Sequence, residues 1–317
     1  MDPKYPDPNP KFDTHLLRAY FAICGTGLLL GLIPLFKKWL SGTDCLWIVF
    51  FRALVAFISI VVVIAVRKSW IKLKVLSHRH WLYFFGYGFV SITLVSYLYI
   101  RSLELTTVAI AVIAVFTAAP LTTLMVELVR FKQKSSPIEL IGIVLSIIGC
   151  ALVNYQGLKF DHDLWGIGCG LAAGFCYGLY PIFGEKLSRH YEYTAMMFWQ
   201  FAISLGASAI ILLLPLGQSV GYLNLRTISG IVSIGLFSTF LPYIFYSYGL
   251  KGGAKKVMAS TLTILEPVSA SFVAYVFLKQ GLSRVQIVGA LLVLSAATIM
   301  LVSIDAVEKK GRERKIK

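Results

Sequence analysis

A carboxylate and a proline stand side by side in the middle of an apolar segment near the end of the chain: Glu266 is followed by Pro267. Within segment 254–278, a rise of about 1.5 Å per residue puts Glu266 roughly 18 Å into a hydrocarbon layer of about 30 Å. Pro267 removes one backbone N–H and frees a carbonyl one turn earlier, which favours a wet cavity beside it. Because a charge at this depth is costly unless it faces a cavity or a partner, Glu266 is predicted to line a functional cavity.

Arg52 is a second charge that lies inside an apolar segment, about eight residues from the outer end of segment 44–66. Two interpretations remain open. Its long side chain either snorkels outward or fixes a helix–helix contact, or else it binds a carboxylate of a solute or of the protein. Glu127 stands close to the end of its own segment and is expected to snorkel to the surface.

Aromatic and neutral polar side chains inside the apolar segments complete the candidate site. Tyr180 and Tyr243 stand next to prolines, and Tyr97 and Trp199 lie a turn or two inside the ends of their segments. Such amphipathic rings could hold a solute without binding it tightly, although some must belong to the core or to the interfacial belt. The predicted substrate-binding residues are Glu266, Arg52, Tyr97, Tyr180, Trp199, Gln200, Tyr243 and Thr263.

The sequence lacks the residue constellations of a catalytic or metal centre. Its histidines fall in connections or at segment ends, and it contains no HExxH zinc motif and no Walker loop. No paired carboxylates are expected within the apolar segments. The five cysteines have no metal-ligand spacing. We therefore predict that the protein is not an enzyme and has neither a cofactor nor a metal ion.

Composition identifies the class of protein. Hydrophobic residues make up 57% of the chain and charged residues 14%, against about 25% charged residues in a typical soluble domain, and the mean hydropathy is +0.77. We predict an all-α polytopic membrane protein with ten transmembrane helices. The predicted helices are 16–36, 44–66, 81–100, 105–129, 137–155, 163–184, 193–216, 227–249, 254–278 and 284–304.

The chain is an internal duplication. A shift of 147 residues takes Pro120 to Pro267 and Gly142 to Gly289, and the same ungapped shift matches residues along most of the half-chain. Residues 16–155 and 163–304 are therefore predicted to be two repeats of five helices. Because five is an odd number of spans, the second repeat enters the membrane in the opposite direction, and the two repeats are inverted relative to each other. The prolines predicted to kink helices are Pro34, Pro120, Pro181 and Pro267.

Lysines and arginines predict the orientation. They concentrate in every second connection, above all in 67–79, and in the tail 305–317. The positive-inside rule then puts both termini, including segment 1–15, in the cytoplasm. The net charge of +15 follows from these turns rather than from a nucleic-acid-binding face, because no basic face is interleaved with stacking aromatics.

Several motifs are shared with a known family. They are Leu265-Glu266-Pro267-Val268, Phe51-Arg52-Ala53, the Gly-x-x-Pro-x-Phe pattern that ends the first helix of each repeat, and the repeat ends 120–142 and 267–289. By these motifs the sequence resembles a ten-helix transporter of the EamA type, within the drug/metabolite transporter superfamily. The family commonly has a Gly-Glu pair at the close of the fourth and ninth helices. This chain instead has Lys132-Gln133 and Lys279-Gln280 there.

Together with the inverted repeats, the resemblance implies a secondary carrier that works by alternating access. The expected partners are a small organic substrate, with an amino-acid-like or amine solute favoured, and the lipid bilayer; a homodimer is left open. By resemblance the expected location is the inner membrane of a prokaryotic cell. The alternatives are a carrier of an anionic phosphorylated or nucleotide-type metabolite, a channel, a membrane scaffold that transports nothing, and a membrane enzyme, for which the sequence offers no reactive constellation.

Overall fold

The helices of the computed structural model match the predicted class of an all-α membrane protein. The structure describes residues 14–40, 42–75, 77–106, 108–130, 136–155, 164–213, 224–279 and 281–316. The predicted residues Lys132, Gln133 and Gln280 lie outside these ranges, as does most of the segment 1–15. In the described ranges, nine helices are long and apolar enough to cross a membrane, and a tenth apolar helix is shorter.

The ten membrane helices are numbered here in chain order. They are α1 (Leu16–Leu40), α2 (Cys45–Arg67), α3 (His78–Ser102), α4 (Ile110–Arg130), α5 (Pro137–Val153), α6 (Leu164–Ser188), α7 (Tyr193–Leu212), α8 (Leu225–Lys251), α9 (Lys256–Phe277) and α10 (Arg284–Leu301). The shorter helix, α5, has 17 residues, which is the lower limit of about 17 for crossing the hydrocarbon.

Several of these spans consist of successive helical pieces. They divide as follows: α1 into Thr14–Leu30 and Ile33–Lys37; α3 into His78–Phe85, a π-helix Gly86–Leu94 and Val95–Leu105; α6 into Leu164–Gly178 and Tyr180–Ser188; α8 into Leu225–Gly235, a π-helix Leu236–Phe240 and Leu241–Lys251; α9 into Lys256–Leu262 and Leu265–Leu278. In contrast, α4 is one helix from Val108 to Arg130, and the helix that begins α10 extends to Ile316.

The interruptions repeat with the same spacing as the sequence. The break of α1 after Leu30 and that of α6 after Gly178 are related by the shift of 147 residues to within one position. The π-helix of α8 likewise falls within the shifted π-helix of α3. The exception is α9, which breaks before Pro267, while α4 continues through Pro120. The two repeats therefore share a scaffold that differs at the position of Glu266.

Contacts between α5 and α10 show directly that the repeats are inverted. Each helix begins with a capping box, Ser136 with Glu139 and Ser283 with Gln286. The Gln286 side chain at the start of α10 donates to the carbonyl of Val153 at the end of α5, at 3.1 Å. Because the start of one helix meets the end of its repeat partner, the two equivalent helices are antiparallel.

Candidate functional site

A cavity of about 100 Å³ lies between the two repeats. Its lining includes both charged side chains that the sequence places deep in the membrane, Arg52 and Glu266. The cavity is much smaller than the ~300–1,000 Å³ of pockets for drug-sized ligands, so it suits a solute of few heavy atoms. The side chains that line it come from seven of the ten helices. They are Leu30, Ile33, Lys37, Cys45, Ile48, Arg52, Val95, Ser96, Tyr99, Ile100, Val115, Phe116, Tyr177, Ile234, Tyr243 and Glu266.

The break in α9 positions Glu266. Pro267 has no N–H to donate to the carbonyl of Thr263, one turn earlier. The backbone N–H of Glu266 donates to that carbonyl instead, at 2.9 Å. The Thr263 hydroxyl donates to the carbonyl of Ser260 at 2.7 Å. The tight turn at Pro267 therefore keeps its backbone groups bonded, and Glu266 lies in the first turn of the second helical piece, at the cavity.

Close packing of α1 holds this turn in place. A Cβ on Gly31 would lie 2.5 Å from Cβ of Ser269 and 2.7 Å from the backbone nitrogen of Ala270, so only a glycine fits there. A Cβ on Gly27 would lie 3.3 Å from the backbone nitrogen of Glu266 itself. The Ser269 hydroxyl also donates to the carbonyl of Leu28 at 2.7 Å. Small residues of α1 thus set the distance between its backbone and Glu266.

Arg52 is held by α8 of the other repeat. Its Nε donates to Oγ1 of Thr239 at 3.0 Å, and one of its terminal nitrogens lies 3.5 Å from the carbonyl of Ser238. Both partners belong to the π-helix Leu236–Phe240. The sequence left open whether Arg52 snorkels, fixes a helix–helix contact or binds a carboxylate. In the structure Arg52 makes a helix–helix contact, and its guanidinium still lines the cavity.

The two charges face the cavity without neutralising each other by contact. In the described ranges, the ion pairs involve neither Arg52 nor Glu266. Within the same ranges, no group of three or more histidine, cysteine, aspartate or glutamate side chains is placed to hold a metal ion. The chemistry of the cavity is therefore that of two cations, Arg52 and Lys37, and one carboxylate, Glu266, in a mostly apolar wall.

Of the other predicted residues, Tyr243 lines the cavity, while Tyr180, Gln200 and Thr263 are fully buried beside it. The hydroxyl of Tyr180 donates to Oε1 of Gln200 at 3.2 Å. The Gln200 amide nitrogen has no hydrogen-bond partner among the described residues. Tyr180 packs edge-on against Tyr243, with ring centroids 5.4 Å apart. These three residues therefore support the cavity from behind rather than line it.

Trp199 and Tyr97 are not among the residues that line the cavity. The Trp199 indole donates to the carbonyl of Leu73 at 2.9 Å, and its ring packs edge-on against Trp81 with centroids 4.6 Å apart. Leu73 belongs to the connection between α2 and α3. The ring thus anchors this connection to α7, and Tyr97 is half-buried.

Tyr99, Tyr177 and Ser96 line the cavity although the sequence analysis did not select them. One signal for Tyr99 was available, because the shift of 147 residues pairs it with Tyr246, which is buried in the same region. Tyr177 lies one helical turn before Pro181. A proline one turn away was the criterion that would have found it.

A layer of buried tyrosines closes one side of the cavity. Tyr180 stacks on Tyr87 with centroids 4.5 Å apart and packs edge-on against Tyr246 at 4.9 Å. The Tyr87 hydroxyl shares a hydrogen bond with that of Ser247, at 2.9 Å. The opposite side extends towards Lys37 and Cys45, at the connection between α1 and α2. The cavity is therefore closed towards one face of the membrane and extends towards the other.

Beyond the tyrosine layer lies an ion network that the sequence analysis did not anticipate. Nζ of Lys256, with its side chain only 6% exposed, lies 3.2 Å from Glu127 and 2.8 Å from Glu185. Lys255 lies 2.7 Å from Glu139. The expectation that Glu127 snorkels to the surface is wrong, because the buried Lys256 draws its carboxylate inward.

The positions of this network could have been suspected from the sequence, because they differ between the two repeats. The shift of 147 residues pairs Lys256 with Ala109 and Glu127 with Ala274. It likewise pairs Glu266 with Ala119. In each case a charge stands in one repeat and an alanine in the other, which marks the positions where the duplicated scaffold has acquired a particular role.

Comparison with known proteins agrees with this architecture. The EamA-like transporter family matches the chain twice, over residues 17–155 and 164–302. A solved crystal structure of a protein with 14% identity superimposes with a TM-score of 0.77, over 92% of this chain and 98% of the other. At that identity the likeness concerns the fold.

Two similar sequences come from an archaeon and a bacterium. An uncharacterised transporter of Archaeoglobus fulgidus is 27% identical over 207 residues, which are 63% of this chain and 70% of the relative. The threonine/homoserine exporter RhtA of Escherichia coli K12 is 24% identical over 261 residues, 81% of this chain and 80% of the relative. Since the two family matches span most of its length, the chain is a member of the EamA-like transporter family.

Proposed function

We propose that this transporter carries a small amino-acid-like or amine solute. The observation that carries the proposal is that Arg52 and Glu266 face one small cavity from different repeats, each without an ion-pair partner among the described residues. An amino acid offers a carboxylate to the guanidinium and an ammonium group to Glu266. The similarity to RhtA, a threonine/homoserine exporter, supports the same class of solute.

The inverted repeats support alternating access. In the described form, the tyrosine layer and the ion network close one end of the pathway, and both include residues of the two repeats. Opening that end would require the Lys256–Glu127 and Lys255–Glu139 pairs to separate. The repeats would then rock about the cavity, which is the movement that inverted-repeat carriers use.

The distribution of basic residues supports an orientation with both termini in the cytoplasm. The ion network would then close the cytoplasmic end, and the cavity would extend to the outside near Lys37. We place the protein in the inner membrane of a prokaryotic cell, in keeping with the archaeal and bacterial sources of its relatives.

Counterflow into proteoliposomes tests the substrate class. Vesicles preloaded with unlabelled threonine or homoserine should accumulate the labelled solute with saturating kinetics, whereas the deaminated acid and a phosphorylated solute should not exchange. Glu266→Gln should weaken exchange of the corresponding amine, and Arg52→Gln should weaken exchange only of solutes that carry a carboxylate.

Glu104→Gln is the matched control, because Glu104 is an exposed acid that pairs with Arg101. Exchange of the phosphorylated solute alone would reject an amino-acid-like substrate and favour the anionic alternative. Flux that neither saturates nor shows counter-exchange would indicate a channel, and no flux of any class would favour a scaffold. Wild-type kinetics in well-folded Arg52→Gln and Glu266→Gln proteins would contradict the site.

A further inference from the structure

The cavity that contains the Glu266 carboxylate has aromatic walls. Tyr99, Phe116, Tyr177 and Tyr243 all line it, and they belong to four different helices, α3, α4, α6 and α8. We call these four rings the aromatic wall. Glu266 reaches the same cavity from a fifth helix, α9. The rings are far apart in the sequence, so the packing of the helices brings them together around one space.

Three of the rings are packed beside the turn that carries Glu266. Tyr99 and Tyr177 contact the buried cluster that contains Phe116 and Leu265. The rings of Phe116 and Tyr177 stand at right angles, with planes at 89° and centroids 6.3 Å apart, and so form two adjacent walls. Because Leu265 directly precedes Glu266 in the chain, these rings and the carboxylate meet in one part of the cavity.

Close packing of α6 on α4 holds the Tyr177 ring in this position. A Cβ on Gly174 would lie 2.5 Å from the carbonyl oxygen of Val115, so only a glycine lets the two backbones touch here. Gly174 precedes Tyr177 by almost one turn, and Val115 is the neighbour of Phe116. The contact between the helices therefore fixes the two rings relative to each other before any solute arrives.

The aromatic wall also marks a difference between the repeats. The shift of 147 residues pairs Tyr177 with Leu30 and Tyr243 with Ser96, and all four residues line the cavity. The second repeat thus has a ring at each position where the first has an aliphatic or a small polar side chain. Glu266 pairs with an alanine of the first repeat. The two rings and the carboxylate are therefore features that the second repeat has added to the common scaffold.

The chemistry of this wall suits a cation that donates no hydrogen bonds. The face of an aromatic ring attracts a cation, and cages of such rings are a common means of recognising quaternary ammonium groups. A primary ammonium group has three N–H donors, each of which needs an acceptor when it leaves water. Phe116 offers no acceptor. The methyl groups of a quaternary ammonium group instead pack against the rings, while Glu266 balances its charge.

We propose that the preferred solute carries a quaternary ammonium group, held between the aromatic wall and Glu266, and a carboxylate held by Arg52. This is the chemical class of the betaines, which are fully N-methylated amino acids. The inference rests on the proposed function, from which it takes the roles of Arg52 and Glu266. Lys37 adds a second positive charge for the carboxylate at the exposed end of the cavity.

A methylation series on the wild-type protein tests the proposal. Glycine and its monomethyl, dimethyl and trimethyl derivatives carry the same two charges at neutral pH and differ only in their methyl groups. Competition against labelled trimethylglycine, bound to the purified transporter, gives their dissociation constants. Affinity should rise with each methyl group, and trimethylglycine should bind about tenfold more tightly than glycine. Equal or falling affinity along the series would overturn the proposal, as would a lack of binding of trimethylglycine.

Variants of Tyr177 separate the ring from its hydroxyl. Tyr177→Leu should weaken the binding of trimethylglycine about fivefold while that of glycine stays nearly constant. Tyr177→Phe keeps the ring and should retain the preference for trimethylglycine. Phe175→Leu is the matched control, because this ring, two residues away, is 54% exposed and lies outside the cavity. An equal loss in Tyr177→Phe or in Phe175→Leu would contradict the aromatic wall. Thermal unfolding shows which variants fold, and the wild-type series with Tyr177→Phe decides the question even if Tyr177→Leu does not.

Arg52→Gln separates this inference from the proposed function. It should weaken the binding of all four compounds alike, since each carries the carboxylate. Saturable exchange of threonine or glycine, with an affinity that falls on methylation, would overturn the preference for a quaternary ammonium group and leave the amino-acid-like substrate class standing. Failure of every compound, threonine included, to bind or exchange would overturn both.

Discussion

The guanidinium of Arg52 in α2 is fixed to the hydroxyl of Thr239 in α8, at 3.0 Å across the boundary between the repeats. The same hydroxyl donates to the carbonyl of Ile234 at 2.9 Å, five residues earlier in the chain. The π-helix of α8 therefore presents a hydroxyl whose own proton is already used and whose lone pair is directed at the cation. A π-helical turn at a functional site is a known use of this irregularity.

Thr239→Val should raise the KM for a carboxylate-bearing solute about tenfold, because a hydrogen bond to a charged group is worth about 1.5–3 kcal/mol and about 1.4 kcal/mol is a factor of ten. Amines without a carboxylate should be carried almost as before. Initial rates in proteoliposomes measure both. Thr298→Val is the control, since that exposed hydroxyl bonds only within its own helix; an equal effect of both changes would argue against the anchoring role.

Glu266→Gln should remove the pH dependence of transport of a cationic solute. An ionised carboxylate attracts an ammonium group and a protonated one does not, so wild-type uptake should rise with pH as Glu266 loses its proton. Glutamine keeps the shape and has no proton to lose. Uptake rates from mildly acidic to mildly alkaline pH decide the question. Superimposable profiles with equal KM would mean that Glu266 only supports the scaffold.

Lys256→Met should open the closed end of the pathway and destabilise the protein. Removing Lys256 leaves the carboxylate of Glu127 without its ion-pair partner, at a cost of about 3–5 kcal/mol for a buried charge, while Glu185 still pairs with Arg189. A cysteine placed at the buried Ser260, in a chain without its native cysteines, should react faster with an impermeant reagent added on that side. Arg101→Gln, which breaks an exposed pair, should change neither the labelling rate nor the thermal unfolding temperature.

Gly31→Ala should impair transport, because its added Cβ would meet Ser269 at 2.5 Å and push α1 away from the turn that carries Glu266. Gly168→Ala is the matched control: a Cβ there meets nothing within 4 Å. Expression, unfolding temperature and transport rate should fall for the first and stay near wild type for the second. Equal behaviour of the two variants would show that α1 adjusts without affecting the site.

Accessibility labelling should place both chain termini in the cytoplasm and the connection between α5 and α6, residues 156–163, outside. The expectation follows from the concentration of basic residues in alternate connections. Single cysteines at Asp2, at Lys159 and at Lys317, tested in intact cells and in inverted vesicles, give the answer. A C-terminus on the opposite side from the N-terminus would be incompatible with ten spans.

Sequence reasoning located Glu266 and Arg52 because a charge within an apolar segment is conspicuous whatever the packing. It also predicted the repeats, since one fixed shift relates them. It could not tell that Tyr180 lies behind the cavity, because the face that α6 presents depends on its break after Gly178. Nor could it predict that Lys256, the first residue of its helix, is buried, because a lysine at the end of a membrane helix is normally exposed.

The capping residues of α5 and α10, Glu139 and Gln286, differ only in that the glutamine has an amide nitrogen in place of one carboxylate oxygen. Glu139 therefore makes an ion pair, whereas Gln286 makes a neutral hydrogen bond. Glu139 caps α5 with one oxygen and binds Lys255 with the other, whereas Gln286 caps α10 and donates its amide to Val153. The Lys255 side chain is 52% exposed, so dissolved ions screen its attraction to Glu139. The hydrogen bond from the Gln286 amide in α10 to the carbonyl of Val153 in α5 carries no net charge and is insensitive to ionic strength. Salt on that face of the membrane is therefore expected to weaken the Lys255–Glu139 pair while leaving the α5–α10 pair joined.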